Sequence, residues 1–191
     1  MSEIILASSS EQRKLLLTAA GWSFRVYPAN LDEQAQVTPP HCNRALYLAK
    51  CKADEVARVY KQAVVIAADT VVSFGQELLE KPASIQQAHQ MLAQLSGQGF
   101  EVHTGVVLRY RSETREQLVI TTARMRKLSE HEIDYYVRHN PVTTWSAGFS
   151  PAYPAGMALL AKVTGSFTGL THGLPIEVVS DWLIELKINA S

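Results

Sequence analysis

The chain has 191 residues, of which 47% are hydrophobic and 19% charged, and 18 basic residues balance 18 acidic ones. This length is enough for one sizeable domain, and the balanced charge argues against a surface for a nucleic acid polymer. The first apolar run is too short for a secretion signal, and no run approaches the roughly 18 residues of a membrane span. Cys42 and Cys51 lack metal-ligand spacing and are expected to be reduced thiols. We therefore expect a cytoplasmic protein that binds no membrane.

The first predicted elements are a buried strand over residues 4–7, three serines at 8–10, and a helix over residues 11–20 that Gly21 closes. The helix is predicted to face the core with Leu15, Leu16 and Ala19. A strand–hydroxyl loop–helix junction presents free backbone N–H groups, hydroxyls and the cation of Arg13, which is how proteins hold phosphate. Ser8 and Glu11 also have the spacing of a capping box, so a purely structural role for Ser8 stays open.

The rest of the chain alternates helical and strand patterns. We predict strands over residues 24–27, 64–68, 100–110, 117–125 and 157–163, with a hairpin turn at Gly75 and a polar turn at 111–116. Helices are predicted over residues 42–60, 85–95, 129–139 and 174–186, the third opened by a capping box at Ser129. Residues 30–40 and 141–154 read as irregular. This mixture predicts an α/β or α+β fold with a central cleft.

Charged residues stand at four further places where local structure does not require them. Asp69 directly follows the apolar run 64–68, and a charge at the end of a buried strand is costly unless it is paired or coordinated. Glu33 lies in a loop, Lys52 in mid-helix and Lys81 before a proline, and each alone has a structural explanation as a solvated residue. The phosphate loop and dinucleotide fingerprints, zinc-protease motif and nucleophile elbow are absent from the sequence.

Seven segments in order resemble one family. They are LASSSEQR, LDEQ, LAKCKA, AADTVV, LLEKP, LSGQGFEVHTGV and GLP, which lie between residues 6 and 175. This ordered set resembles the Maf family of nucleoside triphosphate pyrophosphatases, also known as septum formation inhibitors. The resemblance implies a single Maf-like domain over residues 1–191. It implies a fold like that of inosine triphosphate pyrophosphatases, with an elongated mixed sheet flanked by helices and a central cleft between two lobes.

The resemblance also implies an activity and a site. The implied reaction is house-cleaning hydrolysis of a nucleoside triphosphate to the monophosphate and pyrophosphate, with Mg²⁺ or Mn²⁺ as cofactor and a homodimer as the assembly. The implied catalytic residues are Asp69 (the proton acceptor), Lys52, Lys81 and Arg13. The implied substrate-binding residues are Ser8, Gln12, Arg13, Thr70 and Tyr153, and the implied metal ligands are Glu33 and Asp69. Three cations suit a triphosphate, and carboxylates suit a hard divalent ion.

The chain departs from the family pattern at places that read the base. Glu11 replaces a usual proline and is predicted to point away from the cleft. Gln12 stands where the dTTP/UTP branch has Arg and the 7-methyl-GTP branch has Trp, and Tyr153 replaces a polar residue. Thr70 matches the dTTP/UTP branch, whereas the spacing from Gly165 to Gly173 resembles the 7-methyl-GTP branch.

Because Thr70 matches the dTTP/UTP branch, we favour dTTP and UTP as substrates, and three alternatives stay open. One is a 7-methyl-GTP pyrophosphatase of the same family. Another is a catalytically weak nucleotide-binding regulator of septum formation, and a third is a phosphate-ester hydrolase without base selectivity.

Overall fold

The computed structural model describes residues 2–32 and 43–188. Its seven strands are β1 (Ile4–Leu6), β2 (Arg25–Val26), β3 (Val64–Phe74), β4 (Glu77–Leu79), β5 (Gly99–Tyr110), β6 (Glu113–Met125) and β7 (Leu160–Thr164). Its α-helices are α1 (Glu11–Ala19), α2 (Arg44–Val59), α3 (Ile85–Leu95), α4 (Glu130–His139), α5 (Pro154–Met157), α6 (Phe167–His172) and α7 (Ile176–Glu185). Among the residues in these two ranges, no helix is both long and apolar enough to cross a bilayer.

The sheet is mixed, which confirms the predicted fold class. Its strand order is β2-β1-β3-β5-β6-β7, and β4 pairs with β3 off this path. β1 runs parallel to β2 and β3, with Ile5 opposite both Arg25 and Val65. The β3–β4 and β6–β7 pairs are antiparallel, as a hairpin turn at Gly75 requires for the first of them.

The chain divides into two compact units. The first comprises residues 1–70, 104–119 and 168–191, and the second comprises residues 71–103 and 120–167. In the first unit, β1 and the start of β3 are buried on both faces, so alternate side chains enter two different cores. Leu6 and Ile66 pack in a cluster with residues of α1 and α7, whereas Ile5 and Val65 pack in a cluster with residues of α2.

Helix α2 lies directly against β5 because of one glycine. A Cβ atom at Gly105 would stand 2.4 Å from the carbonyl oxygen of Ala45 and 2.4 Å from the Cα atom of Leu46, which no side chain tolerates. The same helix faces its core with Ala49, Ala53 and Val56, all of them fully buried. This close packing fixes the height at which the helix holds Lys52.

The second unit is built around helices with local caps. Ser84 caps α3 by accepting the backbone N–H of Gln87 at 3.1 Å, and α4 opens with the predicted capping box between Ser129 and Glu132. The backbone N–H and side chain of Ser129 and the Arg126 guanidinium bind the Glu132 carboxylate and lower its pKa to about 2.

Three points of local structure differ from what the patterns suggested. Leu16 packs against the core as predicted, but the fully buried residue of α1 is Leu17, whereas Leu15 (60% exposed) and Ala19 are exposed. The N-cap of α1 is Ser10, whose hydroxyl accepts the backbone N–H of Arg13 at 3.5 Å, and Ser8 therefore forms no capping box with Glu11. β3 does not end at residue 68 but continues through Asp69 to Phe74, because its second half pairs with β4.

Other boundaries shifted as well. The turn after β5 has only two residues, so β6 starts at Glu113 rather than near residue 117. A helix that we did not predict, α6, precedes α7, which begins at Ile176 and not at 174. The stretch 141–154, predicted as irregular, contains two short 3-10 turns, and α5 begins at its last residue. The last strand therefore begins at Leu160 and not at residue 157 as predicted. Cys51 carries a free thiol, as predicted, and Cys42 lies outside the described residues.

Candidate active site

A buried ion pair joins α2 to β3 in the first unit. The Lys52 ammonium donates to Oδ1 of Asp69 at 2.6 Å, and the two side chains are 13% and 11% exposed. Asp69 belongs to the run of six buried residues that opens β3, where an unpaired carboxylate would be strongly unfavourable. Oδ2 of Asp69 has no hydrogen-bond partner in the described part of the chain. The pair therefore presents one carboxylate oxygen that a water molecule or a cation can use.

A second cluster lies at the N-terminus of α1. The hydroxyl oxygen of Ser8, a residue only 8% exposed, accepts the Arg13 guanidinium at 3.0 Å and the backbone N–H of Ser10 at 3.2 Å. The guanidinium also donates to the hydroxyl of Thr70 at 3.4 Å and to the carbonyl oxygen of Gly173 at 2.9 Å. Thr70 follows Asp69 in β3, so the strand links this cluster to the ion pair. Cation, hydroxyls and helix N-terminus are the groups that bind phosphate oxygens.

The remaining residues around the turn differ in their placement. Gln12 lies in the first turn of α1, partly buried. Glu11 is exposed and forms an ion pair with Lys14 at 2.6 Å, one helical turn away. Its charge is thus engaged on the surface of α1.

Two predicted site residues belong to the second unit. Lys81 is exposed in the segment between β4 and α3, and its neighbour Glu80 accepts the backbone N–H of Ala147 at 3.1 Å through its carbonyl oxygen. Tyr153 is 42% exposed, and its ring lies 5.3 Å from that of Trp145 with 31° between the planes. Trp145 is an aromatic partner that the sequence patterns did not single out.

Of the two residues expected to bind a divalent cation, one lies in the described part of the chain. Glu33 lies outside the described residues. In ranges 2–32 and 43–188, no three His, Cys, Asp or Glu side chains converge as a metal centre. The open Oδ2 of Asp69 is a hard anionic oxygen of the kind that Mg²⁺ and Mn²⁺ take, and Mg²⁺ commonly uses one or two carboxylates completed by phosphates and water. The residues present fit such an ion.

Solved structures define the fold class. The chain superposes on a HAM1 protein from Coxiella burnetii with a TM-score of 0.54 at 15% identity, covering 97% of this chain and 100% of that one. The Ham1 protein of Staphylococcus aureus gives a TM-score of 0.57 at 14% identity over 97% and 100% of the two chains. At such identities the likeness concerns the fold alone, and it confirms the fold that the resemblance implies.

Sequence comparison then gives the family. The family model described as Maf-like protein matches residues 3–186, so the chain belongs to the Maf-like family. A relative from Cytophaga hutchinsonii, named dTTP/UTP pyrophosphatase, is 35% identical over 95% of this chain and 83% of its own length. Relatives with the same name from Latilactobacillus sakei and Deinococcus radiodurans are each 36% identical, over 94% and 92% of this chain and 98% and 89% of their own.

Proposed function

We propose that this chain hydrolyses a nucleoside triphosphate, with dTTP and UTP as its substrates, to the monophosphate and pyrophosphate. The observation that carries the proposal is the buried Lys52–Asp69 pair, in which Oδ2 of Asp69 has no hydrogen-bond partner among residues 2–32 and 43–188. Family membership and the printed names of the relatives support the reaction. The match over residues 3–186 also supports the proposal that residues 1–191 act as one Maf-like domain.

The phosphates of the substrate are proposed to bind the cations. Arg13 offers a planar fork that matches phosphate oxygens, and Lys52 and Lys81 offer point charges. Ser8 adds a hydroxyl at the junction of β1 and α1. These groups would stabilise the charge that grows on the leaving pyrophosphate, which is the main electrostatic requirement of phosphoryl chemistry.

Asp69 is proposed to act as general base. Its Oδ2 would take a proton from a water molecule whose oxygen forms a bond to the α-phosphorus. The bond from that phosphorus to the bridging oxygen breaks, and the electron pair leaves with pyrophosphate. Lys52 would hold Oδ1 throughout, which fixes the direction of the carboxylate.

We propose Mg²⁺ or Mn²⁺ as the cofactor, with Asp69 and Glu33 as its protein ligands. A bound divalent ion would neutralise phosphate charge and favour ionisation of the attacking water. Lys52 would also balance the negative charge of Asp69 when no divalent cation is bound.

Base selection is proposed to involve Gln12, Thr70 and Tyr153. Thr70 supports the pyrimidine nucleotides named for the relatives. The Trp145–Tyr153 pair favours a second candidate substrate, 7-methyl-GTP, because a cationic methylated base stacks well on an aromatic ring.

The test measures product release by the purified protein with Mg²⁺ and with Mn²⁺, as pyrophosphate from each nucleotide and as inorganic phosphate from an aryl phosphate. The panel holds dTTP, UTP, CTP, GTP, 7-methyl-GTP and an aryl phosphate. Preference for dTTP and UTP supports the proposal, and preference for 7-methyl-GTP supports the second candidate. Binding of dTTP in calorimetry without turnover would identify a regulator, and equal cleavage of the aryl phosphate would identify an unselective hydrolase.

We further propose a cytoplasmic homodimer. The free thiol of Cys51 suits a reducing compartment, and the homodimer follows from the resemblance. Fractionation of cells that express a tagged chain tests the location. Sedimentation equilibrium tests the assembly, and a mass near 21.1 kDa at micromolar concentration would contradict the dimer.

A further inference from the structure

A series of hydrogen bonds starts at Arg13 in the first unit and passes through two threonine hydroxyls. The Thr70 oxygen that accepts the guanidinium lies 3.4 Å from the Thr104 hydroxyl, and Thr104 donates to the carbonyl oxygen of Gly169 at 3.2 Å. Thr104 is 1% exposed. It has one hydroxyl proton, and the carbonyl oxygen can only accept, so that proton is committed to Gly169.

Because Thr104 donates its proton to Gly169, the direction of every hydrogen bond in this series is fixed. In the contact between the two threonines, Thr70 must be the donor, because Thr104 has no proton left to give. The Thr70 oxygen then keeps its lone pairs for the N–H of Arg13. Each hydrogen bond thus has one possible direction, from Arg13 through Thr70 and Thr104 to the carbonyl oxygen of Gly169.

The edge of the guanidinium that donates to Thr70 also meets a glycine, Gly173, where a side chain would collide. The carbonyl oxygen of Gly173 accepts Nε–H of Arg13 at 2.9 Å. A Cβ atom at Gly173 would stand 2.8 Å from the Thr70 hydroxyl and 3.1 Å from Nη2 of Arg13. The φ angle of Gly173 is +62°, a conformation in which an L side chain is strained. Any larger residue here would displace the contact between Arg13 and Thr70.

We infer that Thr104 and Gly173 are positioning residues that fix the plane and direction of the Arg13 guanidinium for the substrate phosphates. The inference rests on the proposed function, since it concerns how Arg13 is held for that reaction. Neither residue is assigned a contact with the substrate. Their effect is on preorganisation, and a misplacement of about 1 Å in a binding group can lower turnover about 100-fold.

The first test compares two glycine substitutions that impose similar backbone strain. Gly173→Ala adds the colliding Cβ atom, whereas Gly75→Ala is made at φ +60° with nothing within 4 Å of the new atom. We expect Gly173→Ala to weaken binding of the α,β-methylene analogue of dTTP about tenfold or more and to lower kcat/KM about 100-fold. Gly75→Ala should leave both close to the wild-type values at a similar thermal midpoint.

The outcomes separate the two proposals. Wild-type protein that neither binds the analogue nor cleaves any nucleotide overturns the proposed function, and the inference with it. Wild-type activity together with unchanged binding and kcat/KM in Gly173→Ala overturns the inference alone. Equal losses in Gly75→Ala and Gly173→Ala would also overturn it, because backbone strain would then be the cause.

The second test separates the hydroxyl of Thr104 from its shape. Thr104→Val keeps the volume and removes the hydroxyl, so Thr70 loses its acceptor and Arg13 loses its directed partner. Thr104→Ser keeps the hydroxyl and removes a methyl group. We expect kcat/KM to fall about tenfold in Thr104→Val and to stay within about twofold in Thr104→Ser. A residue that acts only through packing would give the reverse order, and that result would overturn the inference for Thr104.

Discussion

Replacement of Asp69 by Asn tests the centre of the proposed site. The substitution keeps the size of the side chain and one acceptor oxygen for Lys52, but it removes the negative charge and the basic oxygen. Two consequences follow, one for stability and one for catalysis, and they can be measured separately. A purely structural ion pair would produce only the first.

The structure sets the size of both effects. The Lys52–Asp69 contact is 2.6 Å long, and its side chains are 13% and 11% exposed, so solvent screens it weakly. A charge-assisted hydrogen bond of this kind contributes about 1.5–3 kcal/mol, and the Asn retains part of it. We therefore expect a loss of about 2 kcal/mol. At this chain length that corresponds to a fall of about 4–8 °C in Tm. A domain with about 5–15 kcal/mol of stability remains folded.

Catalysis should fall much further than stability. Loss of a general base lowers turnover about 10²–10⁴-fold, and the ligand for the divalent cation is lost with it. Pyrophosphate release from dTTP and UTP, measured well below the Tm of the variant, gives the rate per folded molecule. Asp54→Asn is the control, since Asp54 lies on α2 in the same unit as Asp69 and forms an ion pair with Arg109 outside the proposed site. Turnover of Asp69→Asn within threefold of the control would refute the assigned role.

Three further predictions concern separate parts of the molecule. Lys81→Ala should lower kcat/KM about 10–100-fold with little change in Tm, because Lys81 is exposed. Lys162→Ala, at another exposed site, should change neither quantity. Equal effects of the two substitutions would contradict the phosphate role of Lys81. Burial lowers the pKa of His172 from 6.5, so the unfolded chain binds more protons and the free energy of unfolding should fall as pH drops below about 6.5. Urea titrations at several pH values measure this loss, which His172→Gln should reduce, and an unchanged pH dependence would contradict it. Ser10→Ala should lower the free energy of unfolding by about 1 kcal/mol, because α1 loses its cap. Ser8→Ala should weaken binding of the dTTP analogue in calorimetry at nearly unchanged Tm. The reverse pattern would indicate that Ser8 caps the helix.

Sequence patterns correctly predicted the elements that depend on contacts between residues close in the sequence. The helix over residues 85–95 was predicted with its observed bounds, and the capping box at Ser129 is present in full. Both depend on hydrogen bonds within three positions and on apolar spacing along a single helix. The strand through Asp69 was predicted too short, because a charge after an apolar run normally marks a strand end. Here Lys52, seventeen positions earlier in the chain, makes the charge tolerable inside the strand.

The orientation of Arg13 is decided by contacts that no local pattern contains. Its partners are Ser8 before α1, Thr70 in β3 and Gly173 after α6, and the last of these is 160 positions away. The sequence marked Gly173 as part of the GLP segment and by its spacing from Gly165, but neither its positive φ angle nor the collision of a Cβ atom is visible in a pattern. Arg13 thus acquires its direction only when β1, β3 and the segment after α6 are assembled. For that reason residue types could indicate phosphate chemistry at this turn, while the direction in which Arg13 is held is decided by the assembled fold.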